Sequence, residues 1–285
     1  MKLLDGKKFA DEIKDCIKLD IQKMNKNVCL AVIQVGDNEA SNVYVRNKEK
    51  ACEYVGIKSK KYKLNDDVEP HILEDTLLEL IKRLNKDKSV NGILVQLPLP
   101  EGIDEYEIIQ AIAPEKDVDG FHELNVGKLV IGEEVLVPCT ANGIIELLIN
   151  NNIEIAGKNC VVVGRSNIVG KPTAMMLLQL DGTVTICHSK TENLKDICKN
   201  ADILVCAIGK PKFFNKEYIK EGAVVVDVGI HRTENGLCGD VDFENVKDIV
   251  SAITPVPKGV GATTVAMLMC NCVQAAKMQY RDYYE

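Results

Sequence analysis

The 285-residue sequence lacks several features that would place it in a specialised class of protein. No apolar stretch approaches the roughly 18 residues that a membrane-spanning helix needs, so a membrane partner is not expected. The segment Met1–Lys7 lacks the apolar core of a signal peptide, which favours a cytoplasmic location. No long basic block is present and the net charge is −7, which argues against nucleic acid as a partner.

The sequence contains 11 cysteines, but none of them forms a Cys-x-x-Cys pair. Cys270 and Cys272 are two positions apart in an apolar helical stretch, and the others are scattered over predicted strands and helices. We therefore expect buried, reduced thiols, with neither disulfides nor a metal site. The length predicts two domains, and a hydrophobic fraction of 46% with 27% charge allows a core of normal size.

The segment Asn159–Pro172 has the pattern that begins a dinucleotide-binding unit. An apolar, β-branched run ends at Gly164, and Gly170 opens the expected helix. Such a turn needs a residue without Cβ, and the pyrophosphate binds N–H groups at the helix N-terminus. The spacing is Gly-x₅-Gly rather than Gly-x-Gly-x-x-Gly, so an ordinary strand-to-helix turn is the alternative.

The end of the next predicted strand indicates which dinucleotide is bound. NAD-selective folds carry an Asp or Glu about 20 residues past the glycines, where it holds the ribose 2′-hydroxyl. Here Thr183–Cys187 is followed by His188-Ser189-Lys190-Thr191, without an acid. A 2′-phosphate would be attracted by Arg165 and Ser189, with His188 and Lys190 as further candidates. The sequence favours NADP over NAD, and a solvated loop is the alternative for His188 and Lys190.

Both parts of the chain have the alternation of an α/β protein. Helices are predicted at 7–25, 41–55, 70–85, 141–150 and 264–278, and strands at 29–35, 58–64 and 92–97. The runs 202–207 and 223–228 are typical of parallel strands covered on both faces. They are followed by Gly209 and Gly229 at the sheet edge that binds ligands, either as turn residues or as points of close approach to a cofactor.

The helix predicted at 41–55 has a lysine on an otherwise largely apolar face. This face comprises Ser41, Tyr44, Lys48, Ala51, Cys52 and Val55. A lysine partly removed from water there would release its proton more readily and exchange protons near neutral pH. Tyr44, one turn earlier, is placed to stack on a planar substrate. The alternative is that Lys48 extends to water along the rim of the face.

Two other segments carry polar groups where a site is expected. Gln96 lies at the end of a buried strand, where its amide pairs either with another site residue or with loop backbone. Asp117 and Asp119 are two apart in a turn. Acidic turn residues commonly bind the local backbone, whereas one that faces a cleft can bind the N–H edge of a heterocycle.

Taken together, these segments resemble the bifunctional methylenetetrahydrofolate dehydrogenase/methenyltetrahydrofolate cyclohydrolase family. The long blocks are specific and follow the family's order over nearly the whole chain. They are Ser41-x-x-Tyr44-x-x-x-Lys48, Gly92–Pro100, Pro114–Phe121, Val162–Pro172, Thr183–Thr191, Gly239–Phe243 and Thr254–Pro257.

The resemblance implies two α/β domains, the second a Rossmann-like parallel sheet, with the folate in a cleft between them. Residues 1–140 plus 265–285 would form the folate-binding catalytic domain, and 141–264 the NADP-binding domain. By the family pattern Lys48 handles protons in the cyclohydrolase step and Gln96 orients it. Tyr44 would stack on the aminobenzoyl ring, and Asp119 would hold the pterin's N–H edge.

The remaining site residues are also implied by the resemblance. Val256, Pro257 and Gly261 would contact the folate. The cofactor would be bound by Gly164, Arg165, Ser166, Ile168, Ser189, Gly209 and Ile230, with Arg165 and Ser189 on the 2′-phosphate. A homodimer and a place in one-carbon metabolism and purine biosynthesis are family expectations.

The implied reaction has two steps. A hydride leaves 5,10-methylenetetrahydrofolate for NADP, and water then opens the methenyl product to 10-formyltetrahydrofolate. A dehydrogenase with weak or absent cyclohydrolase activity is the alternative.

The sequence departs from the family at Lys258, Ala262 and Thr263, where Gly, Pro and Met are usual. Losing the proline at 262 should loosen this loop, and Lys258 points either to solvent or to the substrate's glutamate tail.

Overall fold

The computed structural model describes residues 1–24, 26–234 and 236–281, which divide into two compact units. Unit 1 contains Met1–Asp11, Leu129–Gly132 and Pro138–Met267, and unit 2 contains Glu12–Lys128, Glu133–Val137 and the segment from Leu268 onward. Each unit has helices and a parallel sheet, so the predicted α/β class is confirmed. Among the described residues, no helix is both long enough and apolar enough to cross a membrane.

The first half of the chain alternates strands and helices. In order, the elements are β1 (Lys2–Leu3), α1 (Gly6–Met24), β2 (Cys29–Val35), α2 (Glu39–Val55), β3 (Lys58–Leu64), α3 (Pro70–Lys86), β4 (Gly92–Val95), α4 (Glu105–Gln110), a 3₁₀ turn (Pro114–Lys116), α5 (Glu123–Ile131) and α6 (Cys139–Asn150).

The second half continues this alternation and ends in a long helix. The elements are β5 (Asn159–Val163), α7 (Gly170–Gln179), β6 (Thr183–Cys187), α8 (Leu194–Lys199), β7 (Ile203–Cys206), β8 (Val224–Asp227), β9 (His231–Thr233), β10 (Gly236–Cys238), α9 (Phe243–Val246), β11 (Ala252–Ile253) and α10 (Val260–Arg281).

Unit 2 is built on a three-stranded parallel sheet in the order β3-β2-β4. The central strand β2 is buried along its whole length, which explains why all of its residues except Gln34 are apolar. The helix α3 packs against this sheet with residues three and four apart, including Leu73, Leu77 and Ile81. The edge strand β3 is rich in lysine and partly exposed, a composition that discourages pairing with another chain.

Unit 1 is built on a six-stranded parallel sheet in the order β1-β11-β8-β7-β5-β6. The strands β5, β7 and β8 are almost entirely buried, and Val161 of β5 pairs with Leu204 of β7. The predicted Rossmann-like parallel sheet is therefore present. The short strand β1 pairs with β11, which joins Lys2 and Leu3 to unit 1, whereas the predicted limits grouped them with the other domain.

The predicted elements agree with the structure in type, with differences at their ends. The helix expected at 264–278 begins one turn earlier, at Val260. The strand expected at 92–97 ends at Val95, although the Gln96 N–H still donates to the Ile33 carbonyl at 2.8 Å. Gln96 is thus the first residue after β4, and it lies at the carboxyl edge of the unit 2 sheet.

Candidate active site

Lys48 and Gln96 contact each other within unit 2. The Nζ atom of Lys48 donates a hydrogen bond to Oε1 of Gln96 at 3.0 Å, and Nε2 of Gln96 donates to the Leu97 carbonyl at 2.6 Å. The amide therefore makes both of the contacts that the sequence left as alternatives. Because a backbone acceptor fixes its nitrogen, the oxygen of Gln96 faces the lysine.

The helix α2 that carries Lys48 has defined ends. The Asn38 side chain accepts a hydrogen bond from the Ser41 N–H at 3.1 Å, and Gly56 ends the helix in the left-handed conformation. The buried face includes Ser41, Cys52 and also Val45, which sequence analysis did not place there. Tyr44 is 51% exposed, so its ring lies on the open side of the helix.

The turn that carries Asp117 and Asp119 gives the two carboxylates different surroundings. Asp117 is buried and accepts hydrogen bonds from the Gly120 N–H, the His122 N–H and Nδ2 of Asn125 at 2.8 to 3.1 Å. It is therefore the residue that binds local backbone. Burial raises the pKa of the Asp119 carboxyl to about 6, and the nearby positive charge of Lys48 opposes this rise.

The turn between β5 and α7 can be made only with glycines. A Cβ on Gly164, whose φ is +130°, would collide with the Ala207 carbonyl, and a Cβ on Gly170 would collide with the Gly164 carbonyl. The hydroxyl of Ser166 accepts hydrogen bonds from the Val169 and Gly170 N–H groups at 3.2 and 3.3 Å. The two glycines thus let the backbone turn tightly at the start of a ten-residue helix, which is the shape that a dinucleotide-binding turn requires.

A cavity of about 270 Å³ lies beside this turn in unit 1. Its lining includes Gly164, Arg165, His188, Ser189 and Lys210, and no Asp or Glu is among the described residues that line it. The structure thus places four predicted cofactor residues, Gly164, Arg165, His188 and Ser189, on one cavity. Lys210 was not predicted, although its position directly after Gly209 at the carboxyl edge of β7 was a usable signal.

The other predicted residues of unit 1 lie outside this cavity. Ile168 and Ile230 are 44% and 49% exposed. Ile230 lies against Gly261, where an added Cβ would come within 2.7 Å of its Cδ1 atom. Val256 lines a second cavity, of about 390 Å³, together with Asp227 and Cys238. Pro257 is exposed, and Lys258 next to it is exposed with a φ of +81°.

A larger cavity, of about 970 Å³, lies between β3 and α3 in unit 2. Its lining includes Lys61, Lys63 and Arg83, with Asp75 and Glu79 opposing their charge. None of the predicted site residues lines it, and it contains no glycine turn at a strand end. Size alone does not identify the site, because the predicted folate and cofactor residues lie on α2 and just past the ends of β4, β5 and β6.

Two family models cover most of the chain. Residues 4–119 match the catalytic domain of tetrahydrofolate dehydrogenase/cyclohydrolase, and residues 138–280 match the NAD(P)-binding domain of the same enzymes. The chain belongs to the tetrahydrofolate dehydrogenase/cyclohydrolase family. Lys48, Gln96 and Asp119 lie in the part matched by the catalytic domain, and the glycine turn lies in the part matched by the NAD(P)-binding domain.

Individual members of this family are similar to the chain over almost its full length. The bifunctional protein FolD of Agathobacter rectalis is 60% identical over 279 residues, which are 96% of this chain and 99% of that protein. The crystal structure of bifunctional FolD from Campylobacter jejuni has a TM-score of 0.93 at 48% identity and covers 97% of this chain and 99% of its own. The Trypanosoma brucei enzyme, solved with NADP and an inhibitor, has a TM-score of 0.91 at 36% identity, with 98% of each chain covered.

This membership confirms the predicted enzyme class, a bifunctional dehydrogenase and cyclohydrolase that acts on tetrahydrofolate derivatives. It also confirms that the cofactor is a nicotinamide dinucleotide. Among the described residues, no group of three or more His, Cys, Asp or Glu side chains is arranged to hold a metal ion.

Proposed function

We propose that the chain oxidises 5,10-methylenetetrahydrofolate to 5,10-methenyltetrahydrofolate with NADP and hydrolyses the product to 10-formyltetrahydrofolate. The observation that carries this proposal is the 3.0 Å contact of Lys48 with Gln96, on the same unit as the partly buried Asp119. A cation, its orienting amide and a carboxylate form a set of groups that can position a folate and transfer protons.

The proposed roles follow from these positions. Lys48 transfers the proton that accompanies opening of the methenyl ring, and Gln96 keeps its ammonium directed at the substrate. Asp119 accepts hydrogen bonds from the pterin's amino and N–H groups, and the exposed ring of Tyr44 stacks on the aminobenzoyl group. Val256, Pro257 and Gly261 form further folate contacts.

The choice of NADP over NAD rests on the charge of one cavity. Arg165 and Ser189 line it together, and none of its described lining residues is acidic. A guanidinium binds a phosphate through two hydrogen bonds, whereas a carboxylate at this position would repel it. When bound, the nicotinamide supplies the acceptor for the hydride. The chain's own contribution is to hold the dinucleotide with Gly164, Ser166, Ile168, Gly209 and Ile230.

We further propose that residues 1–140 plus 265–285 provide the folate-binding functions and residues 141–264 the NADP-binding functions. We expect the protein to act in the cytoplasm as a homodimer. These expectations are tested by the oligomeric mass in solution and by the location of a tagged protein in its cell.

The test is absorbance-monitored turnover of 5,10-methylenetetrahydrofolate with NADP and NAD in parallel. NADPH formation with only transient methenyltetrahydrofolate supports both activities and the cofactor. Accumulation of methenyltetrahydrofolate instead indicates a dehydrogenase with weak cyclohydrolase activity and directs attention to segment 258–264, which includes the first turn of α10. Reduction of NAD alone contradicts the role of Arg165 and Ser189.

A further inference from the structure

A single buried carboxylate accepts hydrogen bonds from the loop that follows β7. Asp240 is fully buried, and its Oδ2 atom accepts the N–H groups of Ile208 and Gly209 at 2.7 and 3.0 Å. Its Oδ1 atom accepts the Lys210 N–H at 2.8 Å and contacts Nε2 of His231, also at 2.8 Å. Three consecutive backbone donors and one side chain therefore converge on Asp240.

A second buried carboxylate holds Asp240 in place. Asp227, at the end of β8, accepts the N–H groups of Asp240 and Val241 at 2.8 and 3.0 Å, and that of Gly229 at 3.0 Å. The two acids tie the ends of β7 and β8 to the segment that follows β10. Hydrogen bonds to charged acceptors are stronger than neutral ones, so this arrangement fixes the backbone at the carboxyl edge of the sheet.

The glycines near these acids give independent support. A Cβ on Gly229 would collide with the carboxylate of Asp240, and a Cβ on Gly239 would collide with that of Asp227. Gly229 therefore allows close approach of a carboxylate, where the sequence had suggested close approach to a cofactor. Gly209 is different, because an added Cβ there would meet no atom within 4 Å, although its φ is +69°.

The segments gathered by Asp240 are those that border the proposed dinucleotide site. Ile208 and Lys210 line the same cavity as Arg165 and Ser189. Ile230, a proposed cofactor contact, directly precedes the His231 that Asp240 binds. We propose that Asp240 and His231 are positioning residues, which hold segments 208–210 and 229–231 in the shape that binds the dinucleotide. This inference rests on the dinucleotide site proposed above.

The decisive variant is Asp240→Asn, which keeps the size of the side chain but replaces one acceptor oxygen with an NH₂ group. That group would face backbone donors, so at least one of the three N–H groups would lose its partner. The matched control is Asp202→Asn. Asp202 also accepts hydrogen bonds from a backbone N–H, that of Asn159 at 2.9 Å, and from a cation, Nζ of Lys220 at 2.6 Å. It lies at the amino ends of β5 and β7, at the opposite edge of the same sheet.

The measurement is KM for the dinucleotide and kcat of the dehydrogenase reaction for both variants. Asp240→Asn is expected to raise KM about tenfold or more, with kcat within about threefold, because losing one charged hydrogen bond would lower the population of the binding shape of segment 208–210 about tenfold. Asp202→Asn is expected to leave both constants unchanged. A KM within about twofold of wild type for Asp240→Asn, or an equal rise in both variants, overturns the proposal.

A second pair of variants serves if Asp240→Asn does not fold. In His231→Gln the amide Nε2 can still donate to Asp240, whereas His231→Leu removes the donor. We expect KM to rise in His231→Leu and to return towards wild type in His231→Gln, and equal KM values overturn the proposal. A wild-type enzyme that reduces neither dinucleotide would instead refute the proposed function, so the two failures can be distinguished.

Discussion

The Nζ atom of Lys48 lies 3.0 Å from Oε1 of Gln96, whose own nitrogen is fixed by the Leu97 carbonyl 2.6 Å away. Since the amide oxygen faces the lysine, the hydrogen bond from Lys48 to Gln96 fixes the orientation of the ammonium group without adding a charge. The proposed proton transfer therefore depends on Lys48 for the proton and on Gln96 for its placement.

Replacing Lys48 by methionine is expected to abolish proton transfer while the folate still binds. Methionine keeps the length and apolar stem of the side chain but has no titratable group. We expect the cyclohydrolase kcat to fall by roughly 10²-fold or more, with Kd for a folate ligand within about threefold of wild type. The measurement is methenyltetrahydrofolate decay together with calorimetric binding. Hydrolysis at the wild-type rate would remove Lys48 from the proposed mechanism.

Replacing Arg165 by alanine is expected to change the cofactor preference. The variant loses the guanidinium that we assign to the 2′-phosphate, so KM for NADP should rise by about tenfold or more while KM for NAD changes little. Initial rates with each dinucleotide give both constants. Lys171→Ala is a suitable control, because Lys171 is a nearby exposed cation that pairs with Asn167 at 2.7 Å. Equal losses with NADP and NAD would contradict the assignment of the 2′-phosphate.

The free energy of unfolding of unit 2 is expected to depend on whether the Asp119 carboxyl group is protonated. Burial raises the pKa of this carboxyl from 3.8 to about 6, so between these values the folded chain holds a proton that the unfolded chain has released. The free energy of unfolding should therefore decrease as pH rises through this window. Asp119→Asn removes the cost of ionising a buried carboxyl group. The variant should therefore be more stable than wild type by on the order of 1 kcal/mol at about pH 7.5.

This pH dependence is measured by urea unfolding at about pH 4 and about pH 7.5. Asp227, whose pKa burial also raises to about 6, lies in unit 1 and contributes a similar decrease in both proteins. The informative quantity is therefore the difference between Asp119→Asn and wild type at each pH. A difference that is the same at both values would show that Asp119 does not titrate as described.

Replacing Lys258 by glycine is expected to stabilise unit 1. Lys258 has a φ of +81°, a left-handed conformation that costs a residue with a Cβ roughly 1 kcal/mol. Glycine is the family's usual residue here and avoids this cost, although its greater freedom in the unfolded chain offsets part of the gain. We expect a net increase of about 0.5 kcal/mol in the free energy of unfolding. Lys258→Ala, which keeps the Cβ and removes the charge, should show no increase.

The strands and helices of this chain were largely predictable because their apolar residues recur at regular spacing. The face of α3 is visible in the sequence for this reason, whereas the buried strand β2 is visible as a nearly continuous apolar run. The short strand β1 was not, since two residues carry no periodicity and its partner β11 is remote in sequence.

The candidate site was predictable in part. The family resemblance indicated Lys48, Gln96 and Asp119, but no local pattern shows that Gln96 contacts both the lysine and the backbone. Asp240 was missed as a positioning residue, since its partners come from segments 208–210 and 229–231. Hydrogen bonds between distant segments depend on the folded backbone, which the sequence around Asp240 does not describe.

The pairing of β1 with β11 has a consequence for how the chain is made. Lys2 pairs with Ala252 and Leu3 with Ile253, so the ribosome must add some 250 residues before this edge of the sheet can form. Until then the N-terminal segment has no partner strand, and the cost of closing so long a loop is entropic. A fragment that begins at the second family domain would leave the outer edge of β11 unpaired and open to other chains, so it is a poor choice for separate expression.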